Sequence, residues 1–261
     1  MIKAKKHFGQ NFLKDENILS KIIQSIPNDA LSVDIVEIGA GLGDLTNKLL
    51  GLGNITSYEV DKELIPYLQE RFKKELESKR LSLIIGDVLE IWQGRSFREE
   101  PYFLVANLPY YIATLIIVKC LKDPRCKGLL VMVQKEVAEK FCAKSGDSNF
   151  SALSVLAQST STLEYLFSVP PEAFTPAPKV DSAVFLAQKV ESQIIDSAFL
   201  ENLESLLKVA FNAPRKTILN NLSKAYSKEC VESALKSLEI PPTFRPHQLD
   251  TPTYHRLLKL L

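Results

Sequence analysis

The sequence is poor in the residues that build metal centres and disulfide frameworks, with three histidines and four cysteines in 261 residues. Cys120, Cys126, Cys142 and Cys230 form no C-x-x-C pair and have no histidine at ligand spacing. They read as structural thiols of a reducing compartment, and no metal site is expected. Long apolar runs are missing too: no segment approaches the roughly 20 residues of a membrane span. The N-terminus has no apolar signal-peptide core, so a cytoplasmic protein without membrane contact is expected. Nor is one sign of charge in excess, since 32 Lys and Arg against 31 Asp and Glu leave +1. Any contact with nucleic acid must therefore rest on local patches. The remaining composition, 46% hydrophobic and 24% charged, is that of a globular chain with a substantial core.

What is present is a regular alternation of strand and helix signals. Lys3, Lys5, Lys6 and Lys14 surround His7-Phe8-Gly9-Gln10-Asn11-Phe12-Leu13, a basic stretch suited to phosphates and to reaching a ligand, or else a solvated terminus. Ile18, Ile22, Ile23 and Ile26 predict a helix over 15–26. The apolar strand 33–38 runs into Gly39-Ala40-Gly41-Leu42-Gly43-Asp44, and Leu45, Leu49 and Leu50 then suggest a helix. A dinucleotide fingerprint requires glycine where Asp44 stands, so this loop suits a ligand without pyrophosphate. A second strand, 55–58, ends at Glu59, twenty residues after Gly39, where doubly wound folds place the carboxylate that grips a ribose diol. After a predicted helix over 62–76, strand 81–85 ends in Gly86-Asp87-Val88, whose acid can accept from an adenine amino group.

The next strand, 103–106, ends in Asn107-Leu108-Pro109-Tyr110. This tetrad suits transfer to the exocyclic amine of a base. Such an amine is a poor nucleophile because its lone pair is delocalised, and two acceptors for its two hydrogens favour a pyramidal nitrogen. Asn107 Oδ1 is one candidate acceptor. The other is the Leu108 carbonyl, aimed out of the turn by the extended bias of a residue before proline. Tyr110 offers a stacking face. Polar residues at the carboxyl ends of consecutive strands mark the ligand-binding edge of an open α/β sheet.

Further on, 113–121 suits a helix, 128–133 a strand and 134–141 a helix. The strands 163–169 and 182–187 flank a proline-rich loop in which Phe174 is a candidate second aromatic wall. This finish predicts a mostly parallel sheet with an antiparallel edge. From about Ser192 only helical patterns remain, at 199–210, 218–222, 231–238 and 254–261. Two domains are expected, 1–191 and a small all-helical 192–261. Arg215, Lys216 and Arg245, each near a proline, lie outside the apolar stripes and form a candidate phosphate-facing patch.

Several blocks in order, Lys6 to Leu13, Glu37 to Gly43, Glu59-Val60-Asp61, Gly86-Asp87-Val88, Asn107 to Tyr110, Gln134 to Ala138 and Val169 to Ser182, resemble the KsgA/RsmA family of ribosomal RNA small-subunit adenine dimethyltransferases. The resemblance runs nearly end to end. It implies a Rossmann-like methyltransferase fold, S-adenosylmethionine as methyl donor, and N6,N6-dimethylation of two adjacent adenines in the 3′-terminal hairpin of 16S rRNA. It also implies action on an immature small ribosomal subunit, with the enzyme expected to be a monomer. By this analogy Asn11 and Leu13 close over the donor, Gly39 contacts it, Glu59 holds the ribose and Asp87 the adenine. Asn107 stands at donor and target together, while Tyr110 and Phe174 sandwich the target base. The family's Arg-Arg-Lys run appears here as Pro214-Arg215-Lys216, which bears on RNA docking. A related 23S rRNA methyltransferase and an RNA-binding assembly factor with vestigial methylation are the alternatives.

Overall fold

The computed structural model describes residues 5, 9–190 and 196–261. The chain divides into two compact units, Met1–Ala138 with Glu164–Lys189, and Glu139–Leu163 with Val190–Leu261.

In the first unit two short strands, β1 (Phe12–Leu13) and β8 (Phe174–Thr175), pair antiparallel. The other seven, β2 (Asp34–Ile38), β3 (Ile55–Glu59), β4 (Leu81–Ile85), β5 (Tyr102–Asn107), β6 (Cys126–Gln134), β7 (Ser161–Val169) and β9 (Ser182–Lys189), form one sheet in the order β4-β3-β2-β5-β6-β9-β7. Strands β4, β3, β2, β5 and β6 pair in parallel. Strand β9 runs antiparallel to β6 and lies second from the end, with β7 outside it. Central strands covered on both faces read as continuous apolar runs. Accordingly Phe103, Leu104 and Val105 of β5 and Leu130, Val131 and Met132 of β6 are all buried. Gly128 is required where β5, β6 and β9 meet, because a Cβ there would stand 2.6 Å from the Ala187 carbonyl and 2.7 Å from the Phe103 ring.

Helices α1 (Glu16–Gln24), α2 (Asp44–Leu49), α3 (Ile65–Arg71), α4 (Lys73–Glu77), α5 (Val88–Ile91) and α6 (Tyr110–Lys122) punctuate the strands. Asp15 caps α1 by accepting from the Asn17 and Ile18 amides. The single helix expected over 62–76 is broken at Phe72 (φ −113°, ψ 29°). The Phe72 ring lies under the glycine loop, where a Cβ on Gly43 would meet it at 2.4 Å.

Helices α7 (Lys135–Cys142) and α8 (Ala152–Thr160) precede β7. The second unit takes in α8 along with α9 (Ser197–Ala210), α10 (Ile218–Leu222), α11 (Lys228–Ser237) and α12 (Thr251–Leu260). It therefore includes 139–163, a segment that the expected limits 1–191 and 192–261 place in the first domain. The reason is packing: Ser159 of α8 bonds His255 of α12 at 2.7 Å, and Gln158 accepts from Thr251 at 2.8 Å. The expected boundary at 191/192 lies outside the described residues. The Phe211 ring packs at a tilt against Phe150 and Tyr254, with centroids 6.4 Å and 5.6 Å away. Among the described residues no helix is long and apolar enough to cross a membrane.

Candidate active site

A parallel sheet delivers the ends of its strands to one edge, and there a single cleft is lined by residues from β1, the glycine loop and the tips of β2, β3, β4 and β5. Asn11, Leu13, Gly39, Glu59, Asp87, Asn107, Leu108 and Tyr110 all line it. The lining residues include no lysine or arginine, and their carboxyl side chains are Glu37, Asp44, Glu59 and Asp87. Such a cleft repels pyrophosphate and suits a cationic ligand bearing hydroxyl and amino donors.

The glycine loop and the ribose carboxylate are bound to each other. Glu59 is 4% exposed, and its Oε2 accepts from the Gly41 amide while its Oε1 accepts from the Asp61 amide, both at 2.8 Å. Burial pushes its carboxyl above the ordinary range, and these two amides oppose that shift. Gly39, Gly41 and Gly43 all have positive φ, at 83°, 56° and 82°. At Gly39 the positive φ, and not space, calls for glycine, since a Cβ there would stand an ordinary 3.9 Å from the Asn107 carbonyl and the Pro109 ring.

The N-terminal stretch crosses this edge. Asp61 is 2% exposed and binds Lys5 Nζ at 2.7 Å and Gln10 Nε2 at 2.8 Å. Burial alone pushes the Asp61 carboxyl up, but the bonds from Lys5 and Gln10 outweigh it and hold the group below its ordinary value. Lys5, expected to face phosphate, instead pairs with Asp61 and with Glu63 at 3.1 Å, because a buried carboxylate demands a counter-charge. Lys3, Lys6, His7 and Phe8 lie outside the described residues. Lys14 pairs with Asp44, which also takes Arg71 at 2.9 Å.

At the opposite side of the cleft, Asn107 Nδ2 donates to the Asn11 carbonyl at 3.2 Å. Leu108 is 1% exposed and its amide donates to the Met132 carbonyl at 3.1 Å, which fixes the peptide leaving β5. Tyr110 begins α6, and its hydroxyl bonds Ser182 of β9 at 2.6 Å. Burial raises the Tyr110 phenol pKa, and the Ser182 bond opposes the rise. Asp87 caps α5 by accepting from the Leu89 amide at 2.8 Å through Oδ1. Phe174 is the exception among the expected residues. It is 4% exposed, packs in the hydrophobic core and does not line the cleft. Its pairing with Leu13 in the β1–β8 ribbon ties it to the cleft wall and turns the ring into the core.

Two lining residues were not singled out from the sequence. Glu37 is 1% exposed, and Thr46 and Ser57 both donate to its Oε2, at 2.6 Å and 2.7 Å, while Oε1 has no partner. Burial pushes its carboxyl up to about 7. Tyr111 is 60% exposed at the cleft mouth. The available signals were an acid inside an apolar strand and a second tyrosine after the tetrad.

In the second unit, exposed Arg215 and Lys216 sit on a loop held by Asn221, which accepts from the Ala213 amide at 3.1 Å and donates to its carbonyl at 3.0 Å. The Ile218 amide donates to the Phe244 carbonyl at 2.7 Å, which sets this loop beside exposed Arg245.

The family described as "Ribosomal RNA adenine dimethylase" matches residues 1–261. The chain is 51% identical over 259 residues to ribosomal RNA small subunit methyltransferase A of Sulfurimonas denitrificans, covering 99% of this chain and 94% of the relative. It is 46% identical to the protein of that name from Helicobacter hepaticus, covering 99% and 92%. Among solved structures, a dimethyladenosine transferase from Plasmodium falciparum superposes with a TM-score of 0.77 at 27% identity, covering 94% of this chain and 95% of that one. The 23S rRNA methyltransferase ErmE superposes with a TM-score of 0.74 at 27% identity, covering 96% and 99%. With its full length matched and its fold and cleft in accord, the chain belongs to the ribosomal RNA adenine dimethylase family.

Proposed function

We propose that the protein is an S-adenosylmethionine-dependent methyltransferase that dimethylates N6 of two adjacent adenines in the 3′-terminal hairpin of 16S rRNA, within an immature small ribosomal subunit in the cytoplasm, acting as a monomer. One observation carries this reading: Gly39, Glu59, Asp87 and Asn107, from the ends of four strands, converge on one cleft whose lining has carboxyl side chains and no lysine or arginine. These residues suit the donor, because a sulfonium cation, a ribose diol and an adenine amine all call for acceptors. When bound, S-adenosylmethionine would supply the methyl group from its sulfonium carbon, leaving the neutral thioether.

The chain's own contribution is orientation and acceptance. Glu59 has each oxygen anchored by a backbone amide and takes the ribose hydroxyls on its remaining lone pairs. With Nδ2 held by Asn11, Asn107 presents Oδ1 to one hydrogen of the target amine, and the Leu108 carbonyl takes the other. Tyr110, held by Ser182, is the stacking face. No strong base is required, since the alkylated nitrogen is cationic and releases its proton to water. Phe174 contributes from behind, through the ribbon that holds Leu13 at the cleft.

The likeness to ErmE keeps 23S rRNA as the competing substrate. The experiment is methyl incorporation into 16S within immature 30S particles, with 23S in immature 50S particles as comparison. Dimethyladenine at two adjacent 16S positions is the expected result. Incorporation into 23S alone overturns the choice of RNA, and RNA binding without incorporation overturns the enzyme reading.

A further inference from the structure

The order β4-β3-β2-β5 places Asp87, after β4, and Asn107, at the end of β5, three strand spacings apart, roughly 14 Å. Tyr111 belongs to the first turn of α6, directly after β5, and so starts from the Asn107 side. Its ring lies against the N-terminal stretch, where a Cβ on Gly9 would stand 3.3 Å from Tyr111 Cδ1 and 3.7 Å from Cε1, and it lines the cleft that Glu59 and Asp87 also line. Burial, and then the negative charges of Asp87 and Glu59, raise its phenol pKa. Gly9 has a φ of 60°, which a side chain rarely adopts. Tyr111 also lines the cleft while remaining 60% exposed, the most of any large apolar or aromatic side chain among the described residues. Tyr110, by contrast, is turned away from this end by its bond to Ser182.

We propose that Tyr111 is a positioning residue for the methyl donor, its ring roofing the nucleoside half beside Glu59 and Asp87, with Gly9 left bare so that the backbone at this residue can pack against that ring. An aromatic roof also explains why so large a side chain is left in water at this place: the donor's apolar purine and ribose faces supply the surface it lacks. This role rests on the cleft being the donor site. A base of the RNA is the competing occupant, and the ring's place against Gly9, in the cleft shared with Glu59 and Asp87, favours the donor.

The test is calorimetric binding of S-adenosylhomocysteine, without RNA, to the full chain and to Tyr111→Ala, Tyr111→Phe, Gly9→Ala and the double variant Gly9→Ala with Tyr111→Ala. Loss of a stacking face predicts roughly 5- to 150-fold weaker binding for Tyr111→Ala, with recovery in Tyr111→Phe. Gly9→Ala is expected to weaken binding as well, and by a smaller factor when Tyr111 is already alanine, because the crowded ring has gone. In steady state the KM for the donor rises in Tyr111→Ala by a larger factor than kcat falls. Unchanged affinity in Tyr111→Ala overturns the proposal, and a simultaneous loss of RNA affinity assigns the ring to the RNA. Equal losses in Tyr111→Phe and Tyr111→Ala also overturn it, because the hydroxyl and not the ring is then responsible. Failure of the wild-type chain to bind the ligand counts instead against the donor site itself.

Discussion

Asn107 Nδ2 and the Asn11 carbonyl, 96 positions apart in sequence, are joined by a hydrogen bond of 3.2 Å. The bond unites the end of β5 with the segment that crosses the cleft. The bond also orients the amide, since an amide that gives its nitrogen to Asn11 keeps its oxygen as the acceptor.

Asn107→Ala is therefore expected to cut the single-turnover methylation rate by about 100- to 1000-fold at saturating donor and RNA, with donor affinity weakened far less. An interaction that strengthens as the amine becomes pyramidal lowers the barrier more than it aids binding. Tyr110→Phe keeps the ring, loses only the bond to Ser182, and is expected to be mild. Quenched single-turnover assays with parallel calorimetry check both. Near wild-type turnover in Asn107→Ala removes its role in activating the amine.

Glu59→Ala takes away the ribose acceptor and also releases the Gly41 and Asp61 amides. A charge-assisted hydrogen bond is worth roughly 1.5 to 3 kcal/mol, so donor affinity is expected to fall by about one to two decades or more. Glu59→Gln keeps one carbonyl acceptor and is expected to fall in between. Calorimetry giving Glu59→Ala the wild-type affinity takes this residue out of the donor site.

The strand ends were legible because each apolar run stops at one polar residue: Glu59, Asp87 and Asn107 announce themselves in this way, and the parallel sheet brings all three together. Lys5 was read as a phosphate contact because a sequence shows its charge and not its partner, and the partner Asp61 lies 56 residues away. Phe174 was read as an aromatic wall because proline-rich loops are usually at the surface, whereas a two-residue pairing with β1 draws it into the core. Helix α8 was missed since Ala152–Thr160 is mostly small or apolar and buried on nearly all sides, which leaves no amphipathic period to detect. The break at Phe72 coincides with its ring filling the space beneath Gly43, a contact between distant segments.

The pairing of Lys5 changes what salt should do. Each lysine or arginine that neutralises a phosphate steepens log affinity against log salt by somewhat under one unit. Arg215→Ala, Lys216→Ala and Arg245→Ala are each expected to flatten the slope for RNA by about that amount. Lys5→Ala is expected to leave the slope unchanged while weakening donor binding, because its partner Asp61 donates its amide to Glu59. Filter binding from about 50 to 200 mM salt separates the two behaviours. A flatter slope in Lys5→Ala returns this residue to the phosphate contacts.

Glu37 makes the stability of the fold depend on pH in an unusual direction for a carboxylate. Its carboxyl is raised from 4.5 to about 7, first by burial, with the charge of Glu59 adding to the rise and the Thr46 and Ser57 hydroxyls opposing it. The native state thus holds a proton that the unfolded chain has already lost. The associated stability is complete below about pH 4.5, declines as pH rises, and is lost above about pH 7. The difference between those values corresponds to roughly 3 kcal/mol at most. Glu37→Gln cannot ionise: its carbonyl can accept from Thr46 and Ser57, while its amide nitrogen takes the position of Oε1, which has no partner even in the native protein. At pH 5 the variant is expected to match the protonated wild type closely. By pH 8 it is expected to be the more stable of the two, by up to roughly 3 kcal/mol. Urea unfolding of both proteins from pH 5 to 8 reads this difference directly. Two curves that stay parallel across that range mean that Glu37 does not change its protonation there, and that its burial is balanced by contacts other than a proton.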